Sequence, residues 1–175
     1  MRDVLLLVDV LNSFRHENGE RLAASFRVRY PALRALLERA RAAKVPVVYA
    51  NDNRGVWDSD ARSLVSEAER GLAGDLVAGI APAGGDRFVV KPRYSAFRLT
   101  PLRLILDGLG AERLLLAGTA TEMCVAQTAI DARESGYRVT VVSDARSSVE
   151  ERNEQLVLDY LERVVGVRLT HEHTF

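Results

Sequence analysis

The chain has 175 residues, enough for one domain that buries about two thirds of its surface on folding. Its 24 basic and 24 acidic side chains cancel, which argues against nucleic acid or a membrane surface as a partner. The single cysteine excludes an internal disulfide and is typical of a reducing compartment. The apolar run before Asp9 is too short for a secretory signal or a membrane span, so we expect a cytoplasmic protein.

Short apolar runs alternate with helical patterns along the whole chain. Strands are expected at 4–8, 45–50, 87–90, 113–118, 137–144 and 166–169. Helices are expected at 26–43, 100–110, 124–136 and 148–164, with short helical pieces in the polar stretch 51–82. No linker, internal repeat or low-complexity segment appears, so residues 1–175 are expected to form one domain. Strand–helix alternation with wholly apolar strands predicts an α/β fold, a three-layer αβα sandwich around a parallel sheet.

The polar residues that follow each strand are expected to converge. In parallel sheets of this kind, ligands bind in the crevice beyond the carboxyl ends of the strands. The residues at those ends are Asp9 and Phe14, 51–57, 91–97, 119–124, and Ser143 with Asp144.

Cys124 lies just beyond a buried strand, where the small residues 118–121 lead into a helical pattern. A thiol in the first turn of a helix faces the positive end of the helix dipole, which favours the nucleophilic thiolate. Asp9 and Lys91 end two other strands, so one crevice would hold a nucleophile, a proton acceptor and a cation. The alternative is an Asp9–Lys91 ion pair that ties strand ends together beside an inert cysteine.

The turn 118–121 has a second possible role. A tight turn of small residues before a helix can aim consecutive backbone N–H groups, including that of Cys124, at one oxyanion. The alternative is an ordinary strand-to-helix turn that Thr121 caps.

Three segments together resemble the isochorismatase-like cysteine hydrolases in order and spacing. They are LLLVDVLNSF, VVKPRYSAF and LAGTATEMCVAQTAIDARESGYRVTVVSDA, and the likeness runs from about residue 3 to residue 145. The third is the most specific, because it is close to the family's Gly-x-x-Thr-x-x-Cys-Val signature.

The resemblance implies a structure and a set of site residues. It implies a six-stranded parallel sheet, which we expect in the Rossmann-like order 3-2-1-4-5-6, and a catalytic triad of Cys124, Asp9 and Lys91. It also implies a cis peptide between Thr119 and Ala120, and an oxyanion hole formed by the backbone N–H groups of Ala120 and Cys124.

The resemblance also implies an activity, the cleavage of an amide or ureido C–N bond in a small molecule through a thioester. The same resemblance implies a homo-oligomer, a dimer or larger. No nucleic acid or membrane partner is expected. Two alternatives stay open: a non-catalytic or redox-sensing thiol protein on the same fold, and a hydrolase of a non-amide substrate.

The residues after the second strand depart from one branch of this family. Nicotinamidases place Asp-x-His and further histidines there to bind a metal, whereas this chain has Asp52, Asn53 and Arg54. No histidine lies between His16 and His171, so the imidazole ligands are missing. We therefore expect neither a metal nor another cofactor.

Loop residues near the strand ends are candidates for substrate binding. Arg54 or Arg93 could grip an anionic group such as a carboxylate with two parallel hydrogen bonds, although both could also be solvated loop residues. Phe14, Trp57 and Tyr94 could form walls of the pocket, and the alternative for such aromatic residues is a place in the core.

Overall fold

Six apolar runs form the strands of one sheet in the computed structural model, which describes residues 1–172. The strands are β1 (Asp3–Val8), β2 (Val47–Asp52), β3 (Arg87–Lys91), β4 (Arg113–Thr119), β5 (Arg138–Ser147) and β6 (Arg168–Thr170). Each strand pairs in parallel with its neighbours, in the order β3-β2-β1-β4-β5-β6. The predicted sheet order is therefore confirmed.

Helices fill the connections between the strands. They are α1 (Gly19–Ala42), α2 (Ala61–Glu69), α3 (Gly74–Val77), α4 (Leu102–Leu109), α5 (Ala126–Glu134) and α6 (Glu151–Tyr160). Two π-helical turns are present as well, Thr121–Val125 before α5 and Leu161–Val165 after α6. We call the first of these the Cys124 turn. Among residues 1–172, no helix is long and apolar enough to cross a bilayer.

The central strand β1 is buried on both faces. Leu5 and Leu7 pack into the core that α1 covers, whereas Leu6 and Val8 pack into the core beneath α4, α5 and α6. Successive side chains of a strand point to opposite faces, so an unbroken apolar run has an apolar layer on each side. This packing produces the predicted three layers.

Two element boundaries differ from the sequence prediction in ways that matter. Helix α1 begins at Gly19 rather than at residue 26, because Leu22 and Ala23 also pack into the core. Strand β5 continues to Ser147 and pairs with the end of β4 after a register irregularity. Ser143 and Asp144 therefore lie within a strand, and the prediction that they end one is wrong.

Gly118 lies where β4 passes close to β1. Its φ is +127°, and a Cβ atom there would lie 2.0 Å from the carbonyl oxygen of Val8. The carbonyl group of Val8 is part of the backbone and cannot rotate aside as a side chain could, and an alanine rarely adopts this φ. We expect Gly118→Ala to lower the free energy of unfolding by more than about 2 kcal/mol, measured by urea denaturation.

Gly108 in α4 is the matched control for this prediction, because nothing lies within 4 Å of a Cβ atom placed there. Gly108→Ala should stabilise the protein by about 0.5–1 kcal/mol, since alanine favours the helix. Equal stability of the two variants would contradict the close approach of β4 to β1.

Candidate active site

Asp9 lies directly after β1 in the left-handed region, with φ 51°. Its N–H donates to the carbonyl oxygen of Ala50, and its Oδ1 accepts the N–H of Asp52 at 2.7 Å. The buried side chain of Asn51 bonds both the N–H and the carbonyl oxygen of Leu11, at 3.1 and 2.9 Å. The segment that carries Asp9 is thereby fixed against the end of β2.

Lys91 ends β3, two strands away from β1, and its long side chain crosses the end of β2 to reach Asp9. Its Nζ lies 2.8 Å from Oδ2 of Asp9 and 3.6 Å from Sγ of Cys124, and donates to the carbonyl oxygen of Arg93 at 3.1 Å. The side chain is fully buried. An ammonium group has three protons, so each has a partner here.

The Cys124 turn begins directly beyond the end of β4. The Thr119–Ala120 peptide bond before it is cis. The carbonyl oxygen of Ala120 accepts the N–H groups of Met123 and Val125, both at 3.2 Å, and neither bond uses the N–H of Cys124. The turn places the half-buried Cys124 ahead of α5, not in the first turn of an α-helix as the sequence suggested.

Thr128 joins the Cys124 turn to the segment after Lys91. Its hydroxyl donates to the carbonyl oxygen of Cys124 at 2.6 Å and accepts the N–H of Ala96 at 3.0 Å. Thr128 was not among the residues predicted for the site. The available signal was a threonine four residues after the cysteine, a spacing at which the hydroxyl reaches back to the carbonyl group.

The three side chains change one another's proton affinity. Burial raises the pKa of Asp9 above its usual value, although Lys91 opposes this effect. Burial works against the charge of Lys91, but Asp9 and Cys124 outweigh it, and the pKa of Lys91 is raised. Burial, followed by the charge of Asp9, raises the pKa of Cys124, and Lys91 offsets only part of this. The raised pKa disfavours the thiolate in the free protein, which is the opposite of the direction that the helix dipole predicts.

This arrangement predicts opposite effects of one substitution on two reactions of the thiol. In Asp9→Asn the charge that raises the pKa of Cys124 is gone and Lys91 remains, so the pKa falls. Alkylation by iodoacetamide near neutral pH should then speed up at least about tenfold, because each unit of pKa gives tenfold more thiolate. The hydrolysis that the predicted triad implies should instead be lost, because Asp9 is its predicted proton acceptor.

Asp58→Asn is the matched control, an exposed aspartate in the loop after β2. It should leave the alkylation rate of Cys124 unchanged across pH. An Asp9→Asn protein that alkylates no faster than wild type would show that Asp9 does not act on the thiol. A redox-sensing thiol protein would keep its function in this variant, and a hydrolase would not.

The aromatic candidates fall into two groups. Phe14 is 1% exposed and lies in the core against Phe26, with ring centroids 5.2 Å apart, so it is not part of a pocket wall. Trp57 and Tyr94 are exposed in the loops that follow β2 and β3. Phe14 therefore packs inward against Phe26 of α1.

The two arginine candidates are not equivalent. Arg54 contacts Oδ1 of Asn12 through its guanidinium group, and its Nε lies 3.8 Å from Oε1 of Glu67. Arg93 is exposed, and its Nη1 donates to the carbonyl oxygen of the adjacent Pro92. The backbone carbonyl oxygen of Arg93 also accepts a hydrogen bond from Nζ of Lys91, so Arg93 is the better placed of the two arginine candidates.

The segment after β2 does not suit a metal ion. Asp52 accepts the N–H of Arg54 at 2.6 Å, and the next two positions carry an amide and a guanidinium group. Neither group replaces an imidazole ligand. Within residues 1–172, no three His, Cys, Asp or Glu side chains lie together in a way that could hold a metal ion.

Known proteins resemble this chain in sequence and in fold. The family model described as "Isochorismatase domain" matches residues 3–173. The isochorismatase family protein YaaI of Bacillus subtilis is 33% identical over 168 residues, covering 96% of this chain and 93% of its own length. Ureidoacrylate amidohydrolase RutB of Methylorubrum extorquens is 30% identical, with coverages of 81% and 68%. N-carbamoylsarcosine amidase of Thermoplasma acidophilum superimposes with a TM-score of 0.75 at 26% identity, covering 100% and 99%. The chain belongs to the isochorismatase family.

Proposed function

We propose that this protein is a cysteine hydrolase that cleaves an amide or ureido C–N bond of a small molecule through a thioester on Cys124. The observation that carries the proposal is the meeting of three side chains from distant parts of the chain. Lys91 Nζ contacts both Oδ2 of Asp9 and Sγ of Cys124, at 2.8 and 3.6 Å.

The first half of the reaction forms the thioester. Asp9 accepts the proton of Cys124, and the sulfur attacks the carbonyl carbon of the substrate. Burial raises the proton affinity of Asp9, which suits a general base that works near neutral pH. The charge of Lys91 stabilises the thiolate as it forms, and the N–H groups of Ala120 and Cys124 bind the oxyanion.

The second half releases the products. Asp9 gives its proton to the leaving nitrogen as the C–N bond breaks, so ammonia or an amine departs. A water molecule, deprotonated by Asp9, then attacks the thioester carbonyl, and the C–S bond breaks to return the thiol. Each proton that Asp9 accepts is passed on, and the side chains finish as they began.

The names of two relatives support this class of substrate. One acts on ureidoacrylate and another on N-carbamoylsarcosine. We propose a substrate with an amide or carbamoyl group at one end and a carboxylate at the other. Arg93 is exposed and its backbone carbonyl oxygen accepts a hydrogen bond from Lys91, and its guanidinium group would bind the carboxylate in two parallel hydrogen bonds.

A panel of small amides and carbamoyl compounds tests the proposal. Each compound is offered in a carboxylate form and a neutral form, and release of ammonia is measured. We expect release from at least one compound, with the carboxylate form preferred. Acid quenching during turnover should trap the protein with one acyl group on Cys124, detected by intact mass.

The Cys124→Ala protein is the blank for both measurements. It should release no ammonia above the spontaneous rate and carry no acyl group. Equal rates for carboxylate and neutral forms would end the proposed role of Arg93 alone. Turnover by the Cys124→Ala protein at the wild-type rate would contradict the thioester.

A further inference from the structure

A second buried ion pair lies next to the Cys124 turn, and the proposed reaction does not use it. Arg146 in β5 pairs with Glu154 in α6, and their side chains are only 8% and 7% exposed. The cost of removing two charges from water offsets most of their attraction, so such a pair is a poor source of stability. A role other than stability is therefore indicated.

Glu154 also binds the first residue of the Cys124 turn. Its Oε1 accepts the hydroxyl proton of Thr121 at 2.7 Å, and the carbonyl oxygen of Ser147 lies 3.0 Å from the same hydroxyl. Thr121 is fully buried, so its hydroxyl depends on these partners. The turn thus begins at a side chain bound to a carboxylate that forms an ion pair with a buried guanidinium group.

The next residue of the turn is attached to the same part of the chain. Oε1 of Glu122 accepts the N–H of Val149 at 2.8 Å. Val149 lies in the short connection between β5 and α6. Both leading residues of the Cys124 turn are therefore bound to the region from Ser147 to Glu154.

We propose that Arg146 and Glu154 are positioning residues for the hydrolysis, an inference that rests on the proposed function. Through Thr121 they fix the start of the Cys124 turn, so that the N–H groups of Ala120 and Cys124 point at the oxyanion. The oxyanion exists only in the transition state and the tetrahedral intermediate. Loss of the pair should therefore slow the chemical step and leave substrate binding intact.

Three variants test the inference. The double variant Arg146→Met, Glu154→Leu removes both charges at once, so no unpaired charge remains in the core. Thr121→Val keeps the pair and removes only the hydroxyl group. The matched control Asp3→Leu, Arg113→Met removes a half-buried ion pair at the amino ends of β1 and β4, at the other edge of the sheet from the Cys124 turn.

Two measurements are made on each variant. In the Arg146→Met, Glu154→Leu double variant and in Thr121→Val, kcat for the amide found in the panel should fall about tenfold or more, with KM within about twofold. The reason is that small misplacements of reacting groups slow the chemical step. Hydrogen exchange of the peptide that covers residues 119–125 should also become about tenfold faster. The control should leave kcat and this exchange within about twofold of wild type.

Wild-type kcat in both the Arg146–Glu154 and the Thr121 variants would overturn the inference, and so would an equal loss of kcat in the control. Failure of the proposed function is a separate result, in which the wild-type protein releases no ammonia from any compound. In that case hydrogen exchange alone decides. Unchanged exchange at residues 119–125 would show that the pair does not hold the turn.

Discussion

Replacement of Cys124 by alanine is expected to lower kcat/KM for amide hydrolysis by at least about 10³-fold, because the covalent route then lacks its nucleophile. Asp9 and Lys91 remain as an ion pair in this variant and can only act on water. The measurement is ammonia release under saturating and limiting substrate, compared with the spontaneous reaction.

Cys124→Ser separates the chemistry of sulfur from the shape of the site. The serine hydroxyl occupies the same place but gives up its proton far less readily, so we expect this variant to lose nearly as much activity. Both variants should keep the thermal unfolding midpoint of wild type within a few degrees, because Cys124 is only half-buried. Substantial turnover by either variant would mean that another group attacks the substrate.

Replacement of Lys91 by methionine has the largest expected effect on stability. It leaves the carboxylate of Asp9, which is 8% exposed, without its partner at 2.8 Å. Breaking a buried pair from one side costs about 3–5 kcal/mol, so the free energy of unfolding near pH 7 should fall by that amount. Chemical denaturation measures it.

The loss should depend on pH in a defined direction. The pKa of Asp9 is already raised by burial, and removal of Lys91 raises it further. A carboxyl group with a raised pKa favours the folded state below its unfolded pKa and loses that contribution as the pH rises through the folded value. The deficit of Lys91→Met should therefore shrink as the pH falls from 7 towards 4.

Two further proteins complete the experiment on Lys91. Lys44, the other lysine of the chain, is exposed, and Lys44→Met should change stability by less than about 0.5 kcal/mol. Asp9→Asn combined with Lys91→Met removes both charges and should recover much of the lost stability. A deficit that is the same at every pH would show that the ionised Asp9 carboxylate is not its cause.

The sheet was predictable because its signal is local. Each strand is a run of apolar side chains, and burial on both faces requires such a run, as in Leu5 to Val8. The extension of β5 to Ser147 was not predictable, because its last residues are polar and are extended only through pairing with Gly118 and Thr119. The early start of α1 likewise depends on tertiary packing.

The residues of the candidate site could be predicted from the sequence, but the pKa of the thiol could not. Asp9, Lys91 and Cys124 each lie at or just beyond the carboxyl end of a strand, which was enough to bring them together. The resting state of the thiol depends on the balance of burial, Asp9 and Lys91, and burial is the largest of the three. Spacing along the chain contains no information on that balance, so the helix-dipole argument gave the wrong direction.

Lys91 reaches Asp9 only by crossing the end of an intervening strand, and this has a consequence for how the enzyme gains activity. The three side chains of the candidate site come from the ends of β1 and β3 and from the turn after β4, so four adjacent strands of the sheet must be in place before all three meet. No fragment with fewer of these strands can hold the site. During refolding from denaturant, the return of activity is therefore expected only after these four strands have assembled, and chains with fewer of them in place should show none.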